Sequence, residues 1–114
     1  MSGPEAGLIY HIAFDRDWRT AQATGAYRIS TRGRTLEDEG FIHCSSAAQV
    51  AAVGSRFYAD VPGLVLLTID PARLRSEVRY EAIPGTEERF PHVYGPLDTD
   101  AVVRVEPYRP GPTF

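Results

Sequence analysis

The chain contains no lysine, so all 12 of its basic residues are arginine. This absence excludes Schiff-base chemistry on a lysine amine. A single cysteine, Cys44, cannot form an internal disulfide, and nothing in the sequence therefore indicates secretion. Against 15 acidic residues the formal net charge is −3, which is not the basic footprint of a nucleic-acid-binding protein.

Long apolar segments are also absent. The longest run, "GLVLLTI", is much shorter than the roughly 20 residues that cross a bilayer. The N-terminal "MSGPEAG" is polar and has no signal-peptide core. Neither G-x-G-x-x-G nor a Walker motif occurs, which argues against a Rossmann or P-loop nucleotide site. We expect a cytoplasmic protein without membrane or nucleic-acid partners.

The order of apolar patterns predicts an α+β fold in a single domain over residues 1–114, with a core at about 8–106 and flexible ends. Branched and aromatic runs predict strands at residues 8–14, 27–30, 41–44, 64–69, 78–83 and 101–105. Short helices are predicted between Asp15 and Gly25, between Thr35 and Gly40, and from Ser46 to Phe57, and one helical turn follows Pro71.

The segment Ser46–Gln49 matches an S-x-x-Q capping box and predicts a helix start. Free N–H groups and the positive end of the helix dipole make such a point an anion site in principle. Ser45 and Ser46 are therefore candidate ligand-binding residues. The alternative is an ordinary N-cap serine.

Each of the three histidines lies inside an apolar stretch: "IYHIAF", "FIHCS" and "FPHVYGPL". Burying an imidazole is unfavourable unless it is paired, so His11, His43 and His92 are candidate catalytic residues. The alternative is three buried rings that bind backbone groups. In a strand the faces alternate, which places His11 on the face of Ile9 and Ala13.

The same alternation separates the cysteine from its neighbour. His43 shares a face with Phe41, whereas Cys44 points the opposite way with Ile42. A Cys–His nucleophile is therefore not expected.

The third histidine is predicted to lie in a stiffened loop. Pro91 restricts Phe90 to extended geometry, and a Gly-Pro pair turns the chain after Tyr94. Such a loop would hold His92 and Tyr94 in place, although a structural turn with an aromatic plug is an equal alternative.

Two further readings of the polar residues remain open. Glu39, beside the His43 strand, and Glu81, on the face of Arg79, are outside candidates among carboxylates that form no obvious pair. Three neutral histidines can also hold a zinc ion with one open position. No H-x-H, H-x₃-H or C-x₂-C spacing prearranges such a site, so we assign no metal ligands.

In combination, "IYHI", a tryptophan-bearing helix, "EGFIHCS", "LVLLTID" and "FPHVYGPL" resemble the small bacterial proteins grouped as domain of unknown function 952. The resemblance runs over about residues 8–106. The fold of that family is similar to the ADP-ribosyltransferase superfamily, in which a split sheet holds NAD in a central cleft. The resemblance thus implies one compact domain with a split or mixed sheet and short helices.

The resemblance also implies roles for particular residues. Tyr10-His11 is similar to the "YH" strand whose histidine holds a ribose of NAD, and residues 40–46 resemble the second conserved block. The third position of that superfamily is normally a glutamate, whereas this chain offers His92. This departure is closer to the RNA 2′-phosphotransferase branch, although the arginine cluster of that branch is not evident.

The leading hypothesis is an ADP-ribosyltransferase-like enzyme that acts on NAD or a related nucleotide or ribose-phosphate compound. His11 would orient a ribose, His43 with the serines would hold phosphate or polarise the ribose, and His92 would serve as acid or base. Four aromatic residues are candidates for stacking a base: Tyr10, Trp18, Phe41 and Tyr94. The alternative is a binding module without catalysis, which would explain the missing glutamate.

Overall fold

The structure, a computed structural model, describes residues 7–111. Its α-helices are α1 Asp15–Thr24, α2 Leu36–Glu39 and α3 Val50–Phe57, and 3₁₀ turns span Pro71–Arg73 and Thr99–Ala101. The strands are β1 Ile9–Phe14, β2 Ala26–Tyr27, β3 Ile29–Thr31, β4 Arg34–Thr35, β5 Ile42–His43, β6 Leu64–Ile69, β7 Glu77–Ala82, β8 Arg89–Tyr94, β9 Leu97–Asp98 and β10 Val102–Tyr108. The parts of the predicted flexible ends at residues 1–6 and 112–114 lie outside the described residues.

Two three-stranded sheets form the centre of the fold, in the orders β1-β6-β10 and β5-β8-β7. Two short pairs, β2-β9 and β3-β4, flank them. Every pairing between these strands is antiparallel. The α+β class is therefore confirmed and the sheet is divided, but its strands are antiparallel rather than mixed.

Side chains from the two faces of β1 enter two different cores. Ile9 and Ala13 belong to the main core, which also contains Trp18, Tyr27 and Leu67. The intervening positions contribute to a smaller second core, formed by Tyr10, Ile12, Val50, Tyr58 and Leu64. The alternation predicted for this strand is therefore confirmed, and it leaves β1 covered on both sides.

The segment around the third histidine is a strand, so the prediction of a loop was wrong. Pro91 sits within β8, opposite Tyr80 of β7, and its carbonyl accepts the N–H of Cys44 at 3.0 Å. Because N and O of one strand residue point to the same side, the missing proline donor faces β5, which ends at His43. The proline thus lacks a donor only at the end of the β5–β8 pairing, beside the bond that Cys44 donates.

The helix predicted to start at Ser46 begins instead at Val50, after a turn. Half of the capping box forms, since the Ser46 N–H donates to Oε1 of Gln49 at 3.0 Å. The amide nitrogen of Gln49 also donates to the Arg89 carbonyl at 2.8 Å and to Glu88 at 3.0 Å. These bonds fix Gln49 against the start of β8, and the regular α-helix begins one turn later than predicted.

The other helical predictions agree with the structure. A capping box at Thr35 opens α2, and Gly40 closes it in a left-handed conformation. Gly25 closes α1 in the same way. No helix among the described residues is long and apolar enough to cross a membrane.

Gly95, in the turn after β8, is expected to tolerate no side chain. Its φ is +154°, and a Cβ there would lie 2.3 Å from Oγ and 2.9 Å from Cβ of Ser76. Gly95→Ala should lower the free energy of unfolding by about 2 kcal/mol, measured by urea denaturation. Gly85→Ala is the matched control, since its φ is +88° but its Cβ would meet open space. We expect about 1 kcal/mol there, and equal losses would contradict the steric argument.

Candidate functional site

The two central sheets meet at one point and then separate. Tyr10 of β1 and Ser45, just after β5, form an isolated bridge in which each N–H donates to the other carbonyl at 2.7 Å. The ladder does not continue from there. Instead, the ring of His11 spans the gap, and its Nδ1 lies 2.6 Å from the carbonyl oxygen of His43. The bridge and this side chain thus join the two sheets, which also share the main core, and a cleft lies beside them.

Both ring nitrogens of His11 have internal partners. Since a carbonyl only accepts, Nδ1 carries the proton, and the bare Nε2 accepts the hydroxyl of Tyr27 at 2.9 Å. Burial lowers the pKa of His11 to about 4, although its bond to the His43 carbonyl opposes this shift. The ring is therefore neutral near pH 7 and acts as a strut. The predicted ribose contact would require one of these bonds to open.

A cavity of about 480 Å³ lies where the sheets separate, a size typical of small-ligand sites. Its walls are mainly aromatic and aliphatic, with a few hydroxyl groups. The residues around it are Tyr10, His11, Ile12, Ser30, Thr31, Arg32, His43, Cys44, Ser45, Val50, Val53, Phe57, Tyr58, Ile83, Pro84 and Phe90. Arg32 is the one arginine among them, and no carboxylate lines the cavity within the described part of the chain.

Arg32 lies between β3 and β4 and reaches across to α3. Its Nη1–H donates to the carbonyl of Phe57 over 3.4 Å, which is a long and weak hydrogen bond. The Phe57 ring itself is 48% exposed. An anion entering the cavity could therefore recruit this guanidinium at little cost.

The second and third histidines are cross-strand neighbours. His43 of β5 lies opposite His92 of β8, and their ring centroids are 5.1 Å apart in an edge-to-face arrangement. Phe41 stacks on the His92 ring at 4.1 Å and contacts the His43 ring at 4.8 Å. This confirms that Phe41 and His43 share a face, while Cys44 points into the main core.

A carboxylate flanks each member of this pair. Oε1 of Glu39 lies 3.4 Å from Nε2 of His43, and Oε1 of Glu81 lies 2.9 Å from Nδ1 of His92. The hydroxyl of Tyr94 donates to the same Glu81 oxygen at 2.5 Å. Hydrogen bonds from Tyr94 and then His92 lower the pKa of Glu81, so it is an anion near pH 7.

The half-buried His43 is the member of the pair that reaches the cavity. Burial is the largest effect on it and lowers its pKa. The hydrogen bond to Glu39 opposes this shift, and the neighbouring His92 reinforces it. Below its lowered pKa the ring becomes a cation, but near pH 7 it is a neutral donor and acceptor.

The predicted site residues fall into three groups. Tyr10, His11, His43 and Ser45 line the cavity, whereas His92 contacts the His43 ring and Tyr94 contacts the Phe41 ring beside it. Trp18 is 6% exposed in the main core and does not line the cavity. Ser46 also lies outside the lining residues.

The backbone donors suggested for an anion are already engaged. The N–H of Ser45 binds the Tyr10 carbonyl, and that of Ser46 binds Gln49. No group of three or more His, Cys, Asp or Glu side chains among residues 7–111 is arranged to hold a metal ion. With both nitrogens of His11 engaged internally, the three histidines do not form a common coordination shell.

Arg32 is the charged residue of the cavity, and it was not predicted from the sequence. It is one of 12 arginines, and its approach to α3 depends on a contact 25 positions away. In the sequence around it, only the following glycine in a hairpin turn distinguishes Arg32 from the other arginines. Burial strongly raises the pKa of the Cys44 thiol, which agrees with the prediction that Cys44 and His43 do not form a nucleophilic pair.

Comparisons with known proteins place the chain in a family. The crystal structure of protein CC0527 from Caulobacter crescentus is 32% identical, with a TM-score of 0.77 over 88% of this chain and 84% of that one. The solution NMR structure of CC0527 is 31% identical, with a TM-score of 0.75 over 90% and 85%. The search of curated proteins gives no match. Residues 12–105 match the family described as "Protein of unknown function (DUF952)", and the chain belongs to that family.

Proposed function

We propose that the cavity between the two sheets binds a small nucleotide-like ligand that carries a phosphate. The supporting observation is the composition of the cavity wall. Aromatic and aliphatic side chains such as Phe57, Tyr58 and Phe90 suit a planar base. Arg32 suits a phosphate, and the absence of a lining carboxylate among the described residues removes the repulsion that an anion would meet.

The resemblance to ADP-ribosyltransferases makes NAD and its fragments the first ligands to test. In that superfamily the ligand occupies a cleft in a split sheet, and this cavity lies where β1 and β5 separate. On this proposal His43 is the acid or base that faces the ligand, because it lines the cavity and is half-buried. His92 acts behind it rather than in direct contact.

A second candidate function is binding without turnover. The observation that favours it is the cavity wall itself, because none of the described residues that line it is a carboxylate that could stabilise an oxocarbenium-like transition state. An assay for nicotinamide released from NAD, detected by chromatography, distinguishes the enzyme from the binding module. Turnover that His43→Gln abolishes supports the enzyme, whereas tight binding with no released nicotinamide supports the module.

Arg32→Gln should weaken binding of a phosphate-bearing ligand about tenfold or more, because a charge-assisted hydrogen bond is lost. The measurement is thermal shift with NAD, ADP-ribose, nicotinamide and a 2′-phosphorylated nucleotide. A ligand at a hundred times its dissociation constant should add about 2.7 kcal/mol to the wild type. Arg104→Gln is the matched control, since Arg104 is an exposed arginine of β10 that does not line the cavity.

The outcomes divide clearly. A phosphate-dependent stabilisation that Arg32→Gln loses and Arg104→Gln keeps supports the proposal. Stabilisation by nicotinamide alone, unaffected at Arg32, would place a neutral ring in the cavity without a phosphate subsite. No stabilisation by any of the four compounds would reject a nucleotide ligand.

A further inference from the structure

His92 carries a buried nitrogen that no group among residues 7–111 satisfies. The residue is 3% exposed, and its Nε2 has no hydrogen-bond partner within the described residues. Its other nitrogen faces the Glu81 carboxylate, which only accepts, so Nδ1 carries the proton. In the neutral ring Nε2 is therefore a bare acceptor. A buried acceptor without a donor is unfavourable and rare in native proteins.

A polar group beside His92 that can supply such a donor is the imidazole of His43. The His43 ring lies edge-to-face with His92 at 5.1 Å, and its present contact with Glu39 is 3.4 Å long. Such a contact is weak, because hydrogen bonds between nitrogen and oxygen normally lie near 2.9 Å. A small rotation of His43 would exchange this contact for a bond to His92.

The hydrogen bonds on the Nδ1 side of His92 are shorter than the His43–Glu39 contact. Glu81 accepts both the Nδ1–H of His92 and the hydroxyl of Tyr94. The guanidinium of Arg79 also packs over the Tyr94 ring, 4.6 Å from its centre. These contacts fix the Glu81 carboxylate and, with it, the tautomer of His92.

We infer that Glu81 and Tyr94 are positioning residues that keep the proton of His92 on Nδ1, so that its bare Nε2 accepts a hydrogen bond from His43. The other ring nitrogen of His43 then carries no proton and faces the cavity, where it accepts a hydrogen bond from the ligand. This inference deepens the proposed function and rests on it. The chain of bonds would run from a ligand donor to His43, from His43 to His92, and from His92 to Glu81. Each neutral imidazole in it donates once and accepts once.

The chemical class of the ligand group at His43 follows from this chain. A bare imidazole nitrogen takes a neutral donor, either a hydroxyl or an amide N–H, and not a phosphate. The phosphate is thereby assigned to Arg32, and the two ends of the ligand are recognised by different chemistry.

The positioning role is tested on the ligand-free protein. Long-range ¹H–¹⁵N NMR correlations at pH 7 report the tautomer of each imidazole. Wild type should show His92 with its proton on Nδ1 and a bare Nε2. Glu81→Ala should move the proton to Nε2, whereas Glu81→Gln, whose amide oxygen still accepts, should restore the wild-type signature.

Glu77→Ala is the matched control, because Glu77 lies on the same strand and face but contacts Arg79 instead of His92. A wild-type His92 with its proton on Nε2 would overturn the positioning role without any variant. If the proton of His92 stays on Nδ1 in Glu81→Ala, the positioning role is overturned as well.

The ligand class is tested by titration with separate probes. ADP-ribose should shift the bare ¹⁵N signals of both His43 and His92, and Glu81→Ala should weaken its binding about tenfold, the equivalent of one net hydrogen bond. If ribose 5-phosphate reproduces the His43 shift, the ligand group that donates to His43 is a hydroxyl. If nicotinamide reproduces it, that group is an amide N–H.

Inorganic phosphate reproducing the His43 shift would overturn the assignment of a neutral donor. If none of these probes binds, the proposed function and the ligand part of the inference fail together. The tautomer of His92 still decides the positioning role in that case, so the two failures are distinguishable.

Discussion

Lowering the pH from 7 to 4 is expected to reduce the free energy of unfolding by about 3 kcal/mol through the titration of His11. Burial holds the pKa of His11 at about 4 in the folded protein, against 6.5 in an unfolded chain. The unfolded state therefore takes up a proton first. The contribution is fully present above pH 6.5 and is lost as the pH falls towards 4.

The measurement is urea denaturation at half-unit pH steps. Between pH 6.5 and 5 the loss belongs mainly to histidines, and the lowered pKa of His43 adds to it in the same direction. Carboxylates such as Glu81, whose pKa is also lowered, begin to act only nearer their usual titration range. His11→Gln should flatten the curve between pH 6.5 and 5. Parallel curves for wild type and variant would contradict the assignment.

Much of the fold was predictable because short-range rules decided it. Alternation along β1 placed Ile9 and Ala13 in one core and Tyr10 in the other. Gly40 ended α2 because a left-handed residue without a Cβ is the least strained way to finish a helix. In each case the deciding neighbours lie within a few positions along the chain.

The strand around His92 was not predictable in this way. Local rules for Pro91 correctly indicated extended backbone, but a loop and a strand are both extended. What makes it a strand is pairing with β7 and β5, and neither partner is fixed by the sequence near the proline. The role of Arg32 was not predictable for the same reason, because its contact with Phe57 joins a hairpin to a helix that is distant in the sequence.

The three histidines share one sequence feature, an apolar setting, yet they have three different environments. His11 is a strut with both nitrogens engaged, His43 faces the cavity, and His92 sits behind it with one nitrogen bare. The apolar pattern correctly indicated burial for His11 and His92, whereas His43 is half-buried. It could not assign roles, because those depend on which hydrogen-bond partners the other strands supply.

Removing the His11 ring is expected to cause the largest loss of stability, about 3–5 kcal/mol for His11→Ala. The substitution leaves a cavity, an unpaired hydroxyl on Tyr27, which is 1% exposed as a residue, and an unpaired His43 carbonyl. Urea denaturation at pH 7.5 measures the loss. Amide hydrogen exchange locates it, and the amides of the Tyr10–Ser45 bridge should exchange faster than those of β6, because His11 is the second connection between the sheets.

A double-mutant cycle separates the contribution of the His11–Tyr27 hydrogen bond from that of the packing of the His11 ring. Tyr27→Phe removes only the hydroxyl that His11 accepts and should cost about 1–2 kcal/mol, with a coupling to His11→Ala of similar size. Tyr80→Phe is the matched control, since Tyr80 is 53% exposed on β7 and should change stability by less than about 0.5 kcal/mol. A coupling near zero, or unchanged exchange at the bridge, would mean that packing alone joins the two sheets. The cleft would then be held open by the cores on either side of β1 rather than by its histidine.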